Sequence, residues 1–244
     1  MTILKSNEKR AKTAILLIVV VVIIEIISLL FDIMQYEMLQ IGFSSQEAEN
    51  NDLRQTAISV LFLIAFITSA VTFIRWFRRA YYNLHQRVNY LEHSEGWAAG
   101  SWFVPFVNWF RPYQIMKELY IETEKFLRKK DPSYTKTTKT TTVVWWWMIW
   151  ILSTILDRIN YTITQKAETL DEFNTSTIWS IISSLVAIPL AILAIKVIKD
   201  YGEIEKAFHH YQAPIIEKEE FEILESDENL EEKKQTYKPD SVFQ

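Results

Sequence analysis

The chain has 244 residues, a formal net charge of −4, 49% hydrophobic residues and no cysteine. The missing thiols exclude disulfides, thiolate catalysis and cysteine-ligated zinc or iron–sulfur sites, while leaving the compartment open. A soluble domain would scatter its apolar residues in short periodic pieces. Here they gather into four blocks of membrane-spanning size, so the sequence reads as an integral membrane protein.

Lys5, Lys9, Arg10 and Lys12 precede the first block as they would in a signal peptide. The apolar run that follows is longer than a usual h-region and has no small-x-small cleavage site, which predicts an uncleaved first span over residues 13–34. That block is rich in β-branched residues, a bias tolerated where lipid forces every backbone hydrogen bond to be internal. Glu25 interrupts it. The second span, residues 55–74, is uncharged and ends in Arg75, Trp76, Arg78 and Arg79, read as an interfacial anchor. Its helix is expected to continue outward through Tyr82, Leu84, Val88 and Leu91.

The third span, residues 140–163, opens on Trp145, Trp146, Trp147 and Trp150 as an aromatic belt before Asp157 and Arg158 intrude. The fourth, residues 173–195, contains Pro189, which removes the bond to the Leu185 carbonyl and is expected to bend the helix. Ile204, Phe208 and Tyr211 then mark a further amphipathic piece. Residues 1–216 thus form a four-span membrane domain. Residues 217–244 are mostly acidic and polar, cannot bury enough surface to fold alone, and read as a disordered tail.

Orientation follows from the cations. Residues 31–54 carry one, Arg54, and residues 157–176 carry two, Arg158 and Lys166, whereas residues 75–142 carry twelve. Four more precede the first span, and Lys196, Lys199 and Lys206 follow the last. The positive-inside rule therefore places both termini and the central segment in the cytoplasm of a plasma-membrane protein.

Between spans two and three lies residues 97–110, a run of fourteen without a charge. As a helix it would reach about 21 Å against roughly 30 Å of hydrocarbon, too short to cross. It must enter and leave on one face, lying in the interface or dipping in as a re-entrant loop. Gly96 and Gly100 suggest close backbone approach, Pro105 disfavours helix at Val104, and Trp97 and Trp102 suit the headgroup boundary. Asn108 offers an amide to satisfy irregular backbone, and Arg111 is read as returning the chain to water before Pro112 and Tyr113. The motif fits a plug under the bundle better than a pore-lining loop. Over residues 112–130, Ile115, Met116, Leu119, Tyr120, Thr123, Phe126 and Leu127 recur at helical spacing, predicting an amphipathic helix. Its last turn, Arg128, Lys129 and Lys130, complements the helix dipole and could bind anionic headgroups.

The run Arg75-Trp-Phe-Arg-Arg-Ala-Tyr-Tyr-Asn-Leu, followed by the Gly-Trp, Trp-Phe-Val-Pro, Asn and Arg-Pro-Tyr elements of residues 96–119, resembles the core of a bacterial membrane-protein family known only as domain of unknown function 4328. The resemblance covers roughly residues 55–198. It implies a multi-pass bacterial protein of about four helices and implies no activity.

Among chemical sites, Glu25 stands out, because an ionisable group inside a span is costly. Counting 1.5 Å per residue puts Glu25 and Arg158 both about 20 Å from the inner face, where they could pair. Glu25, Ser28 and Asp32 share one helix face, as do Thr154, Asp157, Arg158 and Tyr161, so a polar cluster is expected in the outer half. Ser180, Ser183 and Ser184 read as small packing residues. His85 and His93, and the adjacent His209 and His210, lack the spacing of a two-histidine zinc site. No metal, cofactor or catalytic set is expected, and the basic segment has no nucleic-acid fold signature. The fold class is an all-α membrane protein: four transmembrane helices with a re-entrant or interfacial motif and an amphipathic helix between spans two and three. Because the inner halves of spans one and two are nearly all apolar, the sequence favours an interaction or regulatory component with a protein partner or second copy. A small transporter or channel subunit using Glu25 is the alternative; an enzyme is not expected.

Overall fold

A computed structural model describes residues 4–135 and 140–211. The proposed disordered tail lies outside them. All the described elements are helical: α1 (Glu8–Ile41), α2 (Ser45–His85), the short α3 (Trp97–Gly100), a 3-10 turn (Val107–Trp109), α4 (Arg111–Lys130), α5 (Thr140–Thr164) and α6 (Leu170–His210). Four of these, α1, α2, α5 and α6, are long and apolar enough to cross a membrane.

Both returning helices start from the same device. Ser44 caps α2, its side chain accepting the Glu47 N–H while the Glu47 carboxylate accepts the Ser44 N–H; Thr169 and Glu172 repeat the arrangement at α6. Each capping box satisfies two otherwise orphaned donors and fixes where the chain turns back. At the end of α1, Gly42 takes φ +96° while its N–H reaches the Met38 carbonyl, and that positive φ favours glycine.

From those turns α2 and α6 each run 41 residues, well past their apolar blocks. The extension of α2 ends at His85, short of the Leu91 expected from the sequence, and α6 continues as one helix through Pro189 and the amphipathic piece to His210. Together with α4 and the N-terminal segment, these extensions build a base. Ile115, Met116, Leu119, Tyr120, Thr123 and Leu127 of α4 are all buried in it, with Phe126 partly so. Trp76, Phe77, Tyr81, Leu84, Tyr201 and Phe208 are also fully enclosed there. Trp76 is thus a core residue rather than an interfacial anchor. The arginines around it, not the indole, mark the boundary.

The spans pack in the order α2, α1, α6, α5. The outer members, α2 and α5, do not pack along their lengths and approach only near the base, where the Phe73 and Trp146 rings lie 5.7 Å apart.

Candidate functional site

Three groups of residues carry the polar chemistry of the molecule. The first is in the half of the spans away from the base. Arg54 donates to Asn51, Asn51 to Gln35 at 2.7 Å, and Gln35 to Thr177 at 2.7 Å, joining α2, α1 and α6. Gln55 donates to Asp32 at 3.1 Å, and Asn160 of α5 exchanges hydrogen bonds with Ser180 of α6. Ser153 donates to Asp157 at 3.3 Å, and Ser184 lies within hydrogen-bonding reach of Glu25. Of the cluster expected from Glu25, Ser28, Asp32, Asp157, Arg158 and Tyr161, the three acids Glu25, Asp32 and Asp157 lie near one another, with hydroxyls and amides of neighbouring helices around them. Ser28 makes only partial burial beside it. Ser180 and Ser184 of α6 do more than pack, since they reach an amide on α5 and an acid on α1.

The expected pairing of Glu25 with Arg158 is not formed. Among the described residues no ion pair joins them; the charged neighbour of Glu25 is Asp157, and the Arg158 guanidinium lies over the Tyr161 ring at 5.9 Å. Both side chains lie on the exposed side of α5, Asp157 turned to Ser153 and Arg158 to the Tyr161 ring. There Thr154, Asp157, Arg158 and Tyr161 line a cavity of about 550 Å³ together with Trp109 of the central motif.

The second group is that motif. Trp102 is its wedge, standing edge-on to Phe73 of α2 at 5.8 Å and to Trp147 and Trp150 of α5 at 6.1 Å each. It fills the one place where α2 and α5 approach. The Trp109 carbonyl accepts the Trp147 indole N–H at 3.2 Å, and Tyr113 stacks on the same indole at 6.2 Å, so the loop is held against α5. Beyond the wedge the chain turns at Pro105, Phe106 adopts φ +63°, and Phe103 and Phe106 are 74% and 84% exposed.

Several readings of the motif need correction. A Cβ added at Gly96 or Gly100 would meet nothing within 4 Å, so neither glycine marks a close approach. Asn108 does not satisfy the irregular backbone through its side-chain oxygen, which is buried without a partner among the described residues; its N–H instead bonds the Val104 carbonyl. Arg111 does not lead back to water. Its guanidinium folds over Trp97 at 5.9 Å and Phe110 at 5.6 Å and contacts His93 Nε2. Pro112 sits in the first turn of α4, as expected.

The third group was not anticipated. Glu118 gathers the Tyr81 hydroxyl at 2.6 Å, His93 Nδ1 at 3.1 Å and the Glu92 backbone N–H at 2.6 Å. With Nδ1 donating to the carboxylate, His93 Nε2 is left to accept from Arg111. Burial and the neighbouring carboxylate push the Tyr81 hydroxyl well above the usual phenol range. Beside it, Glu205 accepts from the Asn7 and Asn83 amides, while Asn83 also pairs with the Lys5 backbone at 2.8 and 3.0 Å. Burial pushes the Glu205 carboxyl up to about 7, against the two amides that favour its ionised form. The carboxylate of Glu118 is held by three donors from two separate places in the chain, which is the pattern of a brace rather than of a reactive group.

The sequence profile of the family described as Domain of unknown function (DUF4328) matches residues 40–203. The chain belongs to that family. The match takes in the α1–α2 turn and most of α6, so DUF4328 spans all of the motif, α4 and α5 but stops short of Glu205 and excludes most of α1. No curated protein and no solved structure matches the chain. No cluster of three or more histidine and acidic side chains suited to a metal occurs among the described residues.

Proposed function

We propose that this DUF4328 protein is a membrane-embedded interaction or regulatory component of a bacterial plasma membrane, with the base and both termini in the cytoplasm. The observation that carries the reading is the open row of spans. Because α2 and α5 do not close on one another, the helices do not enclose a lumen, while the base beneath them is tightly packed. One face of the α2 span, away from α1, has no protein neighbour: Leu61, Leu63, Ile64 and Phe66 are each more than half exposed. A flank of that kind suits a helix of another membrane protein or of a second copy. The cytoplasmic placement is supported by the cation asymmetry of the sequence.

The test is a photo-crosslinking amino acid placed at Leu63 or Phe66 in cells. A discrete protein adduct at these positions, absent when the probe is at Ser133 on the base, is the expected result; adducts to lipid alone would overturn the reading. A second reading, a small transporter or channel subunit, is favoured by Glu25, Asp32 and Asp157, three acids near one another that no ion pair reaches among the described residues. Under that reading reconstituted vesicles show a proton or cation flux that Glu25→Gln abolishes.

A further inference from the structure

At the junction of base and spans, three arginines of α2, Arg75, Arg78 and Arg79, meet Arg10 of α1. The Arg10 guanidinium donates to the Arg75 backbone carbonyl at 3.0 Å, and burial, together with the nearby charges of Arg79, Arg75 and Arg78, holds its pKa below the usual value. Four like charges in one place repel, and the protein supplies little to offset them. Only Arg78 has a carboxylate, Glu95, at 3.4 Å and largely exposed. Arg79 lies over the Tyr82 ring at 5.7 Å, with Lys5 over the same ring at 4.8 Å. The nearby Glu8 is already tied to Lys12 at 2.7 Å. Among the described residues, no carboxylate pairs with Arg10, Arg75 or Arg79.

The place of the cluster says which anion would complete it. Arg75 directly follows the uncharged block of residues 55–74, so it stands where hydrocarbon gives way to headgroups. It also continues a helix face: Ile64, Ile67 and Val71, spaced three and four apart, are 60%, 53% and 49% exposed, and Arg75 and Arg78 come next on the same stripe. Apolar stripe and guanidinium cap together match an acyl chain and its phosphate. Guanidinium groups bind phosphate through paired N–H donors, and less water surrounds them there than in bulk.

We propose that Arg10, Arg75, Arg78 and Arg79 bind the phosphate of an anionic phospholipid in the leaflet on the base side, its acyl chains lying along Ile64, Ile67 and Val71. The site rests on the membrane placement of the four helices and stands apart from the interaction reading above.

The test uses the full chain in a neutral detergent, melted with added phosphatidylglycerol, with phosphatidylcholine, or with inorganic phosphate at the same concentration. Phosphatidylglycerol should raise the Tm by about 3 °C or more over phosphatidylcholine, a shift that inorganic phosphate does not reproduce. Arg75→Gln with Arg79→Gln should lose that rise while melting like the parent in phosphatidylcholine. Lys117→Gln with Lys125→Gln removes the same charge from the exposed face of α4 and should keep it. Should the double arginine variant fail to fold, Arg10→Gln alone reads the same loss. Equal stabilisation by both lipids, equal loss in the lysine variant, or a full effect from inorganic phosphate would each overturn the proposal.

Discussion

Glu205 brings a carboxyl group into the most closely packed part of the molecule, where Asn7, Asn83, Tyr201 and His209 surround it. Its folded pKa of about 7 lies above the ordinary 4.5, so the fold favours the protonated form. The stability this adds is complete below about pH 4.5 and is lost as pH rises through about 7. Glu205→Gln cannot ionise. Its melting temperature should therefore be flatter than the parent's between pH 5 and 8 and should exceed it at pH 8, by the equivalent of about 3 kcal/mol at most. A parent whose Tm is level across that range would refute this. Farther up, Glu25→Gln should be neutral or stabilising, since Asp157 rather than a cation faces Glu25. A double-mutant cycle of Glu25→Gln with Arg158→Gln should give a coupling under about 0.5 kcal/mol, and one above about 1 kcal/mol would restore the ion pair. Neither the Glu205 nor the Glu118 cluster was legible in the sequence. Asn7 and Glu205 stand 198 positions apart, and His93 was weighed only for metal spacing, a test blind to a partner 25 residues away. Glu25 was legible because hydropathy alone makes a charge in an apolar block conspicuous.

Helices were read more faithfully than residues, and the reason is periodic. Hydropathy needs only a run of about twenty residues, so all four spans were visible, and the three- and four-residue spacing of α4 predicted its buried face almost residue for residue. Helix ends were less exact where polar residues continue a helix into the base: α2 was expected to run out to Leu91 and stops at His85, eleven residues beyond Ile74. The central motif was located but misjudged in detail. Its glycines drew attention because they are rare, whereas the structural weight falls on Trp102, whose indole holds α2 and α5 together at the base. Trp102→Ala should cost about 3 kcal/mol or more in detergent, as truncation of a packed aromatic does, and should loosen α5. Phe106→Ala, removing a side chain that is 84% exposed, should change the melt little. Equal melts for the two variants would mean that the loop is not wedged between the helices.

At the scale of the whole molecule, the N-terminal segment, the central segment and the end of α6 meet at one end, and the turns at Gly42 and at Thr169 sit at the other. Any consistent topology must therefore put the base wholly on one side. The sequence arranges its charges to match: twelve cations lie in residues 75–142 against one in residues 31–54. Moving the base outward would place the Arg10 and Arg75 cluster and the basic end of α4 on the side that the positive-inside rule disfavours. The absence of native cysteine makes the orientation directly measurable. In sealed cells, Ser45→Cys and Thr169→Cys should react with a membrane-impermeant maleimide, and Ser133→Cys should react only after the membrane is opened. Labelling of Ser133→Cys from outside would reverse the orientation. Labelling of Ser45→Cys but not Thr169→Cys would do more, because it would separate two turns that the row of α2, α1, α6 and α5 puts at the same end, and the fold itself would have to be redrawn.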